Sequence, residues 1–258
     1  MALGIFDSGV GGLTVYKELA AAFPHTDMIY LGDTARVPYG NKSPETIIRY
    51  SLECAGLLTE KYHVNALIVA CNTMSSYAIS RLKSTFGLPV LGVIQAGSEK
   101  ALQITKNGNI GVIGTIATVR SNSYLEMLND LSGGTVKVWQ RACPLFVPLV
   151  EEGFITGDIP FLTVKHYLDE LMKQPVDTLL LGCTHYPLLI PLITELYPRI
   201  KIVDSATVMA DKIEKMHLAA KEAGRRDILV TDASGAFESL KTMLVGDIGM
   251  RVIDLHSS

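Results

Sequence analysis

Short apolar runs separated by stretches of helical period recur along this sequence, and that alternation restricts its fold more than any other feature. LGIF at Leu3 precedes a helical stretch over 11–22, DMIYL at Asp27 one over 44–60, ALIVA at Ala66 one over 74–85, and PVLGV at Pro89 one from about 96. The pattern returns through NIGVIG, VKVW, DTLLLG and IKIVD, and ILVTD and RVIDL close the chain. Runs that are apolar throughout suit strands covered on both faces. The expected fold class is therefore α/β, with mostly parallel sheets flanked by helices. Ser43, Pro44 and Glu45 supply a helix start: a cap, a first-turn proline and an acid near the positive end.

The two halves of the chain also resemble each other. VNALIVACNT from Val64 lies over VDTLLLGCTH from Val176 without a gap, and GIFDS from Gly4 is similar to GVIGT from Gly111. An internal duplication explains the match, and the paired cysteines Cys71 and Cys183 make it hard to attribute to strand composition alone. Two similar domains related by pseudo-two-fold symmetry are then expected, with a site where strand ends from both meet. The second domain, about 97–207, would be inserted into a first one made of 1–96 plus 208–258.

With 258 residues, 48% of them hydrophobic and 19% charged, the chain can bury a full core. A formal net charge of −3 without basic clusters gives no footprint for nucleic acid or an anionic membrane, which leaves small-molecule chemistry. No apolar run approaches the ~20 residues that span a bilayer. The opening MALGIFDSG lacks the basic segment and long apolar core of a signal peptide, so a cytoplasmic protein is expected. Its four cysteines, Cys54, Cys71, Cys143 and Cys183, show no CxxC pair and are not expected to form disulfides.

Three elements carry polar chemistry. FDSGVGG, residues 6–12, fails as a dinucleotide fingerprint because Thr14 stands where the last glycine would be. It reads either as a turn whose backbone N–H groups meet a carboxylate, or as Asp7 and Ser8 capping a helix. VACNTMS places Cys71 at a strand end, with Asn72 and Thr73 leading into a helix. A cysteine in that position is usually inert packing, but a helix start is also where a thiol's acidity is raised. GCTHYP repeats the context with Cys183, Thr184 and His185.

Zinc could recruit Cys71, Cys183, His185 and Asp7, yet these lie in three segments without a recognised ligand spacing. A single Cys–His nucleophile would leave Cys71 idle, and a non-catalytic amino-acid or anion-binding pocket would use neither thiol chemically. Inverting a stereocentre uses both: one group removes a proton from one face of a carbon and the other returns one to the opposite face. Each sulfur would then stand roughly 3 to 4 Å from that carbon. The remaining Cys54, Cys143, Trp139 and methionines read as packing, and His25, His63, His166, His217, His256 and KEAGRRD as surface.

FDSGVGG, GDTARVPYG, VACNTMS, GVIGTIATV, LFVPLVEEG and GCTHYPLL together resemble the glutamate racemases, within the cofactor-independent aspartate/glutamate racemase superfamily. The resemblance spans residue 4 to about 206. It implies interconversion of L- and D-glutamate for peptidoglycan without pyridoxal phosphate, metal or other cofactor, and it leaves room for a homodimer. By the same likeness Cys71 and Cys183 are the acid/base thiols, assisted by Asp7 and His185. Ser8, Tyr39, Gly40, Asn72, Thr73 and Thr184 fall on positions that hold the substrate's amino and carboxylate groups. Thr115, Thr118 and Glu151 are further members, with Glu152 adjoining the last.

Overall fold

In the computed structural model residues 2–216, 218 and 224–255 are described. Every apolar run named above is a strand: β1 (Ala2–Asp7), β2 (Asp27–Gly32), β3 (Ala66–Val69), β4 (Val90–Gly92), β5 (Asn109–Gly114), β6 (Lys137–Ala142), β7 (Thr178–Gly182), β8 (Lys201–Asp204), β9 (Arg226–Val230) and β10 (Met250–Val252). They form two sheets, ordered β10-β9-β2-β1-β3-β4 and β6-β5-β7-β8. Each neighbouring pair is parallel.

Burial on both faces follows from the period of two along each strand. Leu3 and Ile5 pack on one side of the first sheet with Met28, Tyr30, Ala66 and Ile68. Phe6 faces the other side with Ile29, Leu31, Leu67 and Val69. The second sheet divides in the same way, Leu179 and Leu181 from Leu180 and Val112. The central strands β1, β3, β5 and β7 are thus covered on both faces, which leaves polar groups to the strand ends.

The order β2-β1-β3-β4 recurs as β6-β5-β7-β8, and a side-chain contact recurs with it. A Cβ at Gly4 in β1 would lie 3.0 Å from Val64 and 3.3 Å from Leu58, and one at Gly111 in β5 would lie 3.1 Å from Val176 and 3.2 Å from Leu171. Each half thus lets a helix and its exit loop close onto the central strand only because that position lacks a side chain. β9 and β10 extend the first sheet beyond β2 and, among the described residues, have no counterpart in the second.

Local signals place the helices. Ser43 caps the helix Pro44–Glu60, its Oγ accepting the Thr46 N–H at 3.4 Å. The stretch expected over 74–85 is two helices, Asn72–Tyr77 and Ile79–Thr85. The first begins directly behind Cys71, and within it the Ser75 and Ser76 hydroxyls donate to the carbonyls of Val69 and Asn72. The helix expected from about 96 starts at Val93, immediately after β4. The positions 96/97 and 207/208 therefore fall within the helices Val93–Ile104 and Ser205–Lys215, which are joined by a 2.7 Å ion pair between Lys212 and Glu99. His25, His63 and His166 are exposed. His217, His256 and residues 221–223 of KEAGRRD lie outside the described residues.

Candidate active site

A cavity of about 310 Å³ opens between the carboxyl ends of the two sheets. Cys71 and Cys183 both line it, the first two residues beyond the end of β3 and the second one residue beyond β7. Ser8, Tyr39, Gly40, Asn72, Thr73, Thr115, Glu151, Thr184 and His185 line it too. Asp7 and Thr118 do not: both are fully buried behind the wall. Thr118 shares hydroxyl contacts with Thr115 at 3.0 Å and Thr73 at 3.3 Å.

The FDSGVGG segment turns because Asp7 accepts the Gly9 N–H on Oδ1 at 2.8 Å. The following helix starts at Leu13 with Gly12 at its N-cap and no side chain capping it, so Asp7 and Ser8 act in the turn rather than as helix caps. Gly11 matters for a different reason. A Cβ there would lie 2.4 Å from the Thr184 hydroxyl and 2.5 Å from His185 Nδ1, so the glycine admits the GCTHYP segment of the other half. Thr184 Oγ1 donates to Asp7 Oδ2 at 3.3 Å across this junction.

The two thiols have different companions. Cys71 lies 3.6 Å from the Ser8 hydroxyl. Burial and then the neighbouring Asp7 carboxyl push its thiol up to about 12, against the opposing pull of the Met74 N–H and Ser8. Cys183 adds a smaller push in the same direction. Burial also raises Asp7, opposed by His185 and by hydrogen bonds from Gly9 and Thr184.

On the other side Cys183 Sγ lies 3.8 Å from His185 Nδ1, and His185 Nε2 is 3.1 Å from Glu151 Oε1. Glu151, not Glu152, makes this contact. Burial disfavours the imidazolium, but the bonds to the Cys183 sulfur and Glu151 outweigh it and lift His185 to about 10. These shifts favour the protonated form of the Cys71 thiol and the positively charged form of His185.

Several wall residues were not picked out from the sequence. Val37, Pro38, Asn41, Ile116, Pro144, Val147, Pro148 and Tyr186 also face the cavity. Most stand inside the quoted motifs, where a search for titratable groups passes over the apolar surface that excludes water. Cys54 and Cys143 are buried away from this wall, and all four cysteines are free. Among the described residues, no group of three or more His, Cys, Asp or Glu side chains is placed to hold a metal ion.

The protein is thus an α/β fold of two like halves, with a thiol from each on the wall of one shared cavity. Residues 7–213 match the model of the Asp/Glu/Hydantoin racemase family. The chain is 56% identical over 255 residues to a glutamate racemase of Sulfurihydrogenibium sp., covering 99% of this chain and 98% of that one. It is 55% identical to one of Persephonella marina, with coverage of 99% and 98%. The fold superposes on a glutamate racemase of Francisella tularensis solved with D-glutamate, at a TM-score of 0.92 and 33% identity over 100% of this chain and 98% of that one. The chain belongs to the Asp/Glu/hydantoin racemase family and is an amino-acid racemase.

Proposed function

We infer that the protein interconverts L- and D-glutamate by a two-base transfer at Cα, with Cys71 and Cys183 acting on opposite faces. The observation that carries this reading is the pair of thiols, one from each repeat, on the wall of a single cavity with unlike partners beside them. When the Cα proton leaves toward Cys183, the Cys71 thiol delivers its own to the other face. The roles reverse for the opposite enantiomer. His185, positively charged, offsets the charge that develops at Cys183, while Asp7 and Ser8 hold the Cys71 proton in place. No pyridoxal phosphate or metal is invoked.

General acid–base transfer contributes ~10²–10⁴-fold, so the carbanion beside a carboxylate needs further stabilisation. Fixed donors in a site closed to water supply it. Asn72, Thr73, Thr115 and Thr184 line the cavity for that purpose, with Ser8, Tyr39 and Gly40 completing the substrate's seat. The glutamate assignment draws support from the named activity of the relatives and from the D-glutamate complex of the Francisella enzyme. Supply of D-glutamate for peptidoglycan in the cytoplasm is the corresponding cellular role. Two domains, 1–96 plus 208–258 and 97–207, would close on the substrate by bending at the helices that carry both boundaries.

Incubation of the purified protein with L-glutamate in D₂O, without added cofactor, tests the reading. D-Glutamate carrying deuterium at Cα is the expected product. Exchange confined to aspartate would overturn the substrate, and absence of exchange with any amino acid would overturn the two-base scheme.

A further inference from the structure

Asn72 follows Cys71 and lines the cavity, yet its side-chain nitrogen is buried without a hydrogen-bond partner. Its oxygen is engaged: the Tyr124 hydroxyl donates to Asn72 Oδ1 at 2.6 Å. A carboxamide has one acceptor end and one donor end, so a phenol proton on the oxygen leaves the nitrogen as the end with two N–H donors and no acceptor in the protein. Tyr124 belongs to the helix Ser123–Ser132 of the second half and is fully buried. Its ring meets the other catalytic segment as well. A Cβ at Gly182, the residue before Cys183, would lie 3.1 Å from Tyr124 Cε2.

We propose that Tyr124 is a positioning residue: packed on Gly182 before one thiol and bonded to Asn72 after the other, it turns the Asn72 N–H donors toward the substrate's carboxylate. The phenol itself lies behind the cavity wall and touches no substrate. Its ring sets where Asn72 can stand, and its hydroxyl decides which end of the amide points inward. Reversing the amide would present an oxygen to the substrate's carboxylate and give up the phenol's bond to Asn72 Oδ1. A side chain at Gly182 would meet the Ile113 carbonyl at 2.7 Å before it pressed on the ring, so the glycine is needed for the strand pairing as well as for the ring's seat.

This rests on the reading of the cavity as an amino-acid site, so the test separates the two. Tyr124→Phe keeps the ring on Gly182 and removes only the hydroxyl. KM and the calorimetric Kd for D-glutamate are expected to rise ~10-fold, the worth of one hydrogen bond to a charged group, with kcat changing much less. In an Asn72→Ala background the same substitution should have little further effect. Unchanged KM and Kd, or an equal loss with and without Asn72, would overturn the proposal. If the wild-type protein neither binds nor racemises glutamate, the substrate reading fails, and ligand-free ¹⁵N NMR then decides the positioning role. The Asn72 side-chain amide protons should shift and exchange faster in Tyr124→Phe, and an unaltered signal would count against it.

Discussion

The surroundings of Cys71 and Cys183 differ although the strands that deliver them match. Both thiols follow the third strand of a four-strand unit with the same order, and both units close a loop valine onto a glycine of the central strand. Beyond that frame they diverge. Cys71 has a buried carboxyl and a serine near it, whereas Cys183 has an imidazole braced by Glu151. The duplicated backbone supplies the geometry, and the unduplicated side chains supply the chemistry. β1 ends in Asp7, but its counterpart β5 ends in Gly114, so the acid beside Cys71 has no twin.

The strongest way to break the comparison is to delete one thiol at a time. Cys71→Ala and Cys183→Ala should each abolish racemisation, a loss of at least ~10²–10⁴-fold, measured by polarimetry from both enantiomers. Substantial activity in either would show that the halves do not share one reaction.

Removing the companions should give smaller and unequal losses. His185→Asn takes away the positive charge beside Cys183, and we expect a ~10²-fold fall in kcat/KM. Asp7→Asn should slow the reaction by a comparable factor. With Cα-deuterated substrates, the two variants should show their larger isotope effects with opposite enantiomers. Identical isotope patterns would erase the distinction drawn between the two sides.

A titration sharpens the comparison further. His185 holds its proton to about 10 in the fold, against an ordinary 6.5. Because the folded value is the higher one, the ion pair's stabilisation is complete below about 6.5 and is lost as pH rises through about 10. The difference in urea midpoint between wild type and His185→Asn should narrow over that interval. Activity should decline near its upper end, and Glu151→Gln should move the decline to lower pH.

The smallest effects concern the shared frame. Val64 is buried and Val176 half-buried against their glycines. Truncation to alanine should cost about 2 kcal/mol at Val64 and about 1 kcal/mol at Val176, measured by chemical denaturation, with activity almost unaffected in both.

Much of this was legible in the sequence because it is local. Fully apolar runs give covered strands, Ser43 gives a helix start, and two cysteines in matched contexts give a pair of equivalent strand ends. What sequence cannot display is contact between distant segments. Nothing in YLEMLND marks Tyr124 as the neighbour of both Gly182 and Asn72, and nothing in FDSGVGG says that Gly11 lies against Thr184 and His185. The capping alternative for Asp7 was open because it depends on where the helix starts. Two additional turn residues move that start to Leu13 and free Asp7 to bond the turn and the opposite half.

Glu151 is about one-third exposed (35%), whereas Asp7, behind the opposite wall, is sealed completely. Under the two-base scheme, the His185 side therefore has a second route to bulk water through that carboxylate, whereas Cys71 exchanges its hydrogen through the cavity itself, past the half-buried Ser8. While the cavity is filled, isotope washout would thus be slower from the Cys71 sulfur than from the Cys183 side.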